Sequence, residues 1–160
     1  MEYITDKLFK QQDYTTKALA QGEYESCTFD NCNFSDSDLS DYKFIECAFN
    51  SCNLSNAKLS GTAFQDVKFK ECKMLGLQFD NCHEFGLSFE FSDCSLNHSS
   101  FYQNKLRKTV FRNCQLQEVD FTECDLAEAK FENCDLKRAI FEHTTLEKTN
   151  FYTSYNYSID

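Results

Sequence analysis

Large apolar residues recur at every fifth position of this chain. From Phe91 the series continues through Leu96, Phe101, Leu106, Phe111, Leu116, Phe121, Leu126, Phe131, Leu136, Phe141, Leu146 and Phe151 without a break. A period of five suits neither common element. Five helical residues swing the next side chain about 140° around the axis, and five strand residues send it to the opposite face. The backbone is therefore expected to turn once per pentad, and a short period held over so long a stretch marks a solenoid.

The same phase is present earlier, at Phe29, Phe34, Leu39, Phe44, Phe49, Leu54, Leu59, Phe64, Phe69, Met74 and Phe79. Glu84 then takes an apolar site, and when the series resumes at Phe91 it has moved on by two residues. A fainter trace at Phe9, Tyr14, Leu19 and Tyr24 opens the chain, but Lys7, Gln12, Lys17 and Gly22 stand two residues before these and make poor core. Residues 1–23 are predicted to form a degenerate N-terminal cap over an open edge. Residues 24–151 form the repeat body and residues 152–160 a C-terminal tail.

The cysteines give the pentad its cross-section. All ten (Cys27, Cys32, Cys47, Cys52, Cys72, Cys82, Cys94, Cys114, Cys124 and Cys134) stand two residues before an in-phase site. Residues two apart on an extended segment share a face, so each pentad points a small and then a large side chain inward. Cys32, Cys52 and Cys72 are spaced by twenty, as are Cys94, Cys114 and Cys134, with one step of twenty-two between the trios. Four pentads therefore make one coil. A two-residue insertion near 83–90 aligns Phe29, Phe49, Phe69, Phe91, Phe111, Phe131 and Phe151 in one column. A three-residue deletion would put Gly86 and Leu106 there instead and is rejected. Coils paired edge to edge lie about 4.8 Å apart, so about seven of them give a rod of roughly 30 Å.

Units such as Cys52-Asn53-Leu54-Ser55-Asn56, Ala57-Lys58-Leu59-Ser60-Gly61 and Cys124-Asp125-Leu126-Ala127-Glu128 resemble the repeat of the pentapeptide-repeat family. The resemblance covers roughly residues 24 to 151 and implies an all-β fold, a right-handed quadrilateral parallel β-helix. Cys stands here where the family commonly has Ala. The chain looks most like the smaller Cys- and Phe-rich bacterial members, among them quinolone-resistance and microcin-immunity proteins.

Candidate chemistry is sparse. Cys27-x4-Cys32 and Cys47-x4-Cys52 imitate the pairs of a four-cysteine zinc site, yet every other Cys shares their register, and a free Cys packs as a small hydrophobe. Only this column would support a thiol-based metal or redox protein. Stacked thiols also miss disulfide geometry, and ten reduced cysteines point to the cytoplasm. His83, His98 and His143 have no ligand or triad spacing, and no phosphate loop or nucleophile elbow is present. Neither catalytic residues, metal nor cofactor are expected, and an enzyme is not. No run is long enough to cross a bilayer, and Met1 to Gln12 lacks a secretory apolar core.

Charge changes the picture more. The net charge of -10 argues against direct binding to nucleic acid or anionic lipid. Two acidic groups stand out as a candidate partner surface: Glu118, Asp120, Glu123, Asp125, Glu128, Glu132 and Asp135, and Asp30, Asp36, Asp38, Asp41 and Glu46 with Glu25 beside them. Against them Lys105, Arg107, Lys108 and Arg112 form one basic cluster, expected to pair with neighbouring acids. The resemblance implies a rod that imitates DNA and binds a bacterial type II topoisomerase, DNA gyrase or topoisomerase IV, without catalysis. It also implies a homodimer built on a C-terminal apolar helix, a module that would have to lie beyond this chain. A structural or interaction scaffold with another partner is the alternative.

Overall fold

The computed structural model describes residues 1–159; Asp160, the end of the expected tail, lies outside the described residues. The chain winds as a right-handed parallel β-solenoid of about seven turns, with no α-helix among the described residues. Two of its four faces carry regular strands. On the first face β1 (Glu2–Thr5), β3 (Gly22–Glu25), β5 (Lys43–Ile45) and β7 (Ala63–Gln65) pair in that order. On the second, β2 (Leu8–Lys10), β4 (Thr28–Asp30), β6 (Ala48–Asn50), β8 (Val67–Lys70), β9 (Phe89–Ser92), β10 (Val110–Arg112) and β11 (Lys130–Glu132) form one parallel sheet. Single parallel bridges tie the third face, as at Asn33–Asn53 and Ser95–Gln115, and the fourth, as at Asp38–Lys58 and Ser100–Asp120.

The register follows the residue pattern. Phe29 pairs with Phe49, twenty residues on, whereas Phe69 pairs with Phe91, twenty-two residues on. The rings of this column stack from Phe9–Phe29 at 4.8 Å through Phe69–Phe91 at 5.3 Å to Phe131–Phe151 at 4.9 Å. Phe79, Phe101, Phe121 and Phe141 make a second stack under the fourth face. Rings in neighbouring columns meet edge to face, Phe111 with Phe121 at 84°, so the interior is a continuous aromatic lattice.

Most corners turn on a residue with positive φ, such as Asn56 at 59°, and Ala57 N–H donates to Leu54 C=O across that turn at 3.1 Å. A left-handed residue at the third turn position is the type II geometry. Non-glycine residues resist it, and the ladder on both sides holds them there. All ten cysteines are free and buried. The thiol of Cys52 donates to Phe29 C=O at 3.2 Å and that of Cys72 to Phe49 C=O at 3.2 Å; the hydroxyls of Thr62 and Ser154 do the same for Leu39 and Phe131. The small inward position thus supplies a donor to a carbonyl one coil below.

Residues 1–23 wind with the rest. Glu2 pairs with Gly22 and Phe9 with Phe29, though Ile4, Phe9 and Tyr14 are only half-buried. Gly22 has a specific use: a Cβ there would stand 2.4 Å from Glu2 C=O, so only glycine lets the first coil close on the second. At the other end Tyr157 stacks on Phe151 at 5.3 Å.

The two-residue insertion deforms one coil. Residues Phe79–Asn81 form a 3-10 turn where the other coils have a left-handed corner. His83 and Ser88 N–H donate to Thr62 and Phe64 C=O, which forces Glu84–Leu87 outward as a turn with Gly86 at φ 67°. There half-buried Leu87 reaches the core without filling the place that Tyr24, Phe44 and Phe64 take in the coils below. Phe89 fills the vacancy from the small-residue column, paired to Val67, and its ring lies 6.4 Å from that of Phe64 at 52°. Among the described residues no backbone hydrogen bond joins 83–88 to 104–108, so the first face has a gap in its ladder.

Candidate interaction surface

Outward positions carry what function the rod has, because the inward ones are filled. The structure does not gather each acidic group on one side. Glu118, Asp120, Glu123, Asp125, Glu128, Glu132 and Asp135 belt one coil, since consecutive pentads point to consecutive faces. Asp30, Asp36, Asp38, Asp41 and Glu46 belt another in the same way. The belts coincide at Asp30 and Glu132 on the second face and at Glu46 and Glu128 on one corner, and most fully on the fourth face and its two corners: Asp36 shares a corner with Glu118, Asp38 a bridged position with Asp120, and Asp41 the other corner with Glu123.

Asp80 and Glu142 lie on the same face, which sequence reasoning left out because each falls between the two clusters or beyond them. The fourth face thus presents eight carboxylates against Lys58 and Arg138. Asp36, Asp38, Asp41, Glu118, Glu123 and Glu142 are exposed. Six net charges over five steps of about 4.8 Å make about one per 4 Å, close to the ~3.4 Å spacing along one DNA strand. Within the face, hydrogen bonds from Ser40, whose N–H stands 2.9 Å from Asp38 Oδ1, hold the Asp38 carboxyl below its ordinary range. Asp80 moves the other way: its Oδ1 is buried without a hydrogen-bond partner among the described residues, and burial raises its pKa. Among the described residues, Arg138 at 4.0 Å from Glu118 is the one Lys or Arg within ion-pair distance of these acids, while the imidazoles of His98 and His143 stand 3.1 Å from Glu118 and 3.9 Å from Glu142.

The remaining acids are partly compensated. Arg112 meets Glu132 at 2.9 Å and Glu90 at 3.5 Å, and the Glu132 hydrogen bond raises the pKa of its guanidinium. Glu128 lies 3.1 Å from Arg107 and 4.0 Å from Lys108. Asp135 accepts from Gln117 at 2.7 Å and Asn156 at 3.0 Å; partial burial opposes the shift, but these bonds keep its carboxyl below the ordinary range. The basic cluster therefore neutralises the first and second faces and leaves the fourth anionic. No group of three or more His, Cys, Asp or Glu among the described residues is placed to hold a metal ion.

A family model described as a pentapeptide repeat region matches residues 23–90 and 77–151. The chain belongs to the pentapeptide-repeat family. Among solved structures, that of full-length QnrB1, a plasmid-mediated fluoroquinolone resistance protein, is similar at 18% identity with a TM-score of 0.50. That match covers 97% of this chain and 94% of QnrB1. HetL, a pentapeptide-repeat protein involved in heterocyst differentiation regulation in the cyanobacterium Nostoc sp. strain PCC 7120, matches at 13% identity and a TM-score of 0.33, over 94% of this chain and 88% of HetL. Rfr23 of the cyanobacterium Cyanothece 51142, also a pentapeptide-repeat protein, matches at 14% identity and a TM-score of 0.25, over 96% and 85%. Comparison with curated proteins finds no match. The family match and the likeness to QnrB1 establish the fold of this pentapeptide-repeat protein.

Proposed function

We propose that this pentapeptide-repeat rod is a non-enzymatic, DNA-imitating binder of a bacterial type II topoisomerase, DNA gyrase or topoisomerase IV, acting in the cytoplasm. The observation that carries the reading is the fourth face, whose carboxylates are largely uncompensated and follow one another at nearly the charge spacing of a DNA strand. A stiff rod with fixed charges suits a DNA-binding groove, because little conformational entropy is lost on docking. The fold likeness to a fluoroquinolone resistance protein supports the choice of partner class, and the inward positions are filled by Phe, Leu and Cys side chains. The fold alone supports a second reading, a scaffold for some other basic protein.

The test is gyrase and topoisomerase IV supercoiling and relaxation, with and without a quinolone, titrated with this protein. Inhibition of the enzyme or protection from the drug at micromolar concentrations is expected. The absence of both, with either enzyme, leaves the scaffold reading.

A further inference from the structure

We propose that the first face is a two-fold interface on which a second copy of this chain packs antiparallel around Phe85. This is a different surface from the C-terminal helix that the family resemblance implies for dimers, and it is independent of the topoisomerase reading, which uses the fourth face. Away from the first and last coils, Phe85 is the most exposed apolar side chain among the described residues, at 76%. It stands on the tip of the Glu84–Leu87 turn, beside half-buried Leu87. Of the outward positions of the same face above and below, Ile45 is half-buried and Ala63 and Ala127 are buried, so the apolar surface on offer is Phe85 with Leu87 and Ile45 near it.

The charges around Phe85 select the occupant. On its N-terminal side lie Glu46, Asp66 and Glu84, with Lys43 paired to Glu23 farther off; on its C-terminal side lie Lys105, Arg107 and Lys108, which outnumber Asp125 and Glu128, so that side keeps a net positive charge. A patch of one sign would call for a foreign partner of the other sign. A patch split in this way complements itself, provided the two rods run in opposite directions about a two-fold axis at the level of Phe85. Ser88, whose hydroxyl donates to Asp66 Oδ1 at 3.3 Å, marks that level on the corner that Asp66 and Lys108 share, one coil to either side. The symmetry therefore sets Lys108 opposite Asp66 of the second copy, twice, and brings the two Phe85 rings together at the centre as apolar anchors. One flank of a rod buries less than the roughly 800 Å² per partner of a standard interface, so the dimer is concentration-dependent.

Sedimentation equilibrium from low micromolar to sub-millimolar protein tests this. The wild-type chain is expected to dimerise and Phe85→Asp to remain monomeric, with unchanged circular dichroism because Phe85 lies outside the core. Lys108→Glu is expected to weaken the dimer by up to about tenfold, two symmetry-related pairs being lost, and Asp66→Lys combined with Lys108→Glu to restore it. In Phe85→Cys, mild oxidation of the folded protein should give a disulfide-linked species of twice 18.7 kDa. The wild-type chain should give none, because its ten thiols are buried. A wild-type chain that stays monomeric throughout, or a charge swap that fails to restore association, overturns the proposal; the first result would reserve this face for a foreign protein.

Discussion

Where the small inward residue of a pentad is Cys, Ser or Thr, it is more than filler. Its thiol or hydroxyl bonds a carbonyl that the ladder leaves with spare capacity, as Cys72 does for Phe49 at 3.2 Å. Cys72→Ala removes that donor and leaves a small void, for a loss of about 1–2 kcal/mol. Cys72→Ser keeps the donor and should lose less; urea midpoints compare the two. Burial also raises the Cys47 and Cys124 thiols to about 12, against about 8.5 in an unfolded chain. The neutral thiol is the form the folded state favours. Its contribution is therefore complete below about pH 8.5 and is lost as pH rises toward 12. Urea midpoints should decline between pH 8.5 and 10, before tyrosines titrate, and decline less in a Cys47→Ser, Cys124→Ser double variant.

The deformed coil is the element where pattern and packing part. Phe85 and Phe89 both fall off the large-residue phase; Phe89 stands two before Phe91, at an inward position the pattern reserves for a small residue, and nothing in the spacing says where Phe85 goes. The Glu84–Leu87 turn decides it: Phe89 is 5% exposed and Phe85 76%. Phe89→Ala should cost roughly 3–5 kcal/mol, as a buried aromatic does, and Phe85→Ala less than about 0.5 kcal/mol, read from denaturant unfolding of the monomer. The gap in the first-face ladder has its own signature. Amides of Glu84 and Lys105 are expected to exchange with deuterium well before those of Leu106 and Asp125, whose N–H groups donate to Asp125 and Asn104 C=O at 2.8 and 3.1 Å.

For the whole molecule, the solenoid converts a one-dimensional charge sequence into four longitudinal stripes. Twenty residues per coil place Asp38 and Asp120 on one line although 82 positions separate them. If the fourth face meets a basic groove, Asp120→Lys with Glu123→Lys should abolish the effect on supercoiling at concentrations where the native chain acts. Glu71→Lys with Asp93→Lys, the same charge change on another corner, should leave it intact. Equal loss in both variants would mean that only net charge matters, and would remove the case for an oriented face.

The sequence by itself determined the interior: the period of five, the coil of twenty, the all-Phe column and the two-residue insertion are all legible, because identical inward positions must stack on one another. What only the tertiary structure decided lies outside the core. Outward residues carry no periodic constraint, so their grouping along the chain, a belt, differs from their grouping in space, a stripe. Winding brought Asp80 and Glu142 onto the acidic face, paired Arg107 and Arg112 with Glu128 and Glu132, and left Phe85 standing clear of the first face.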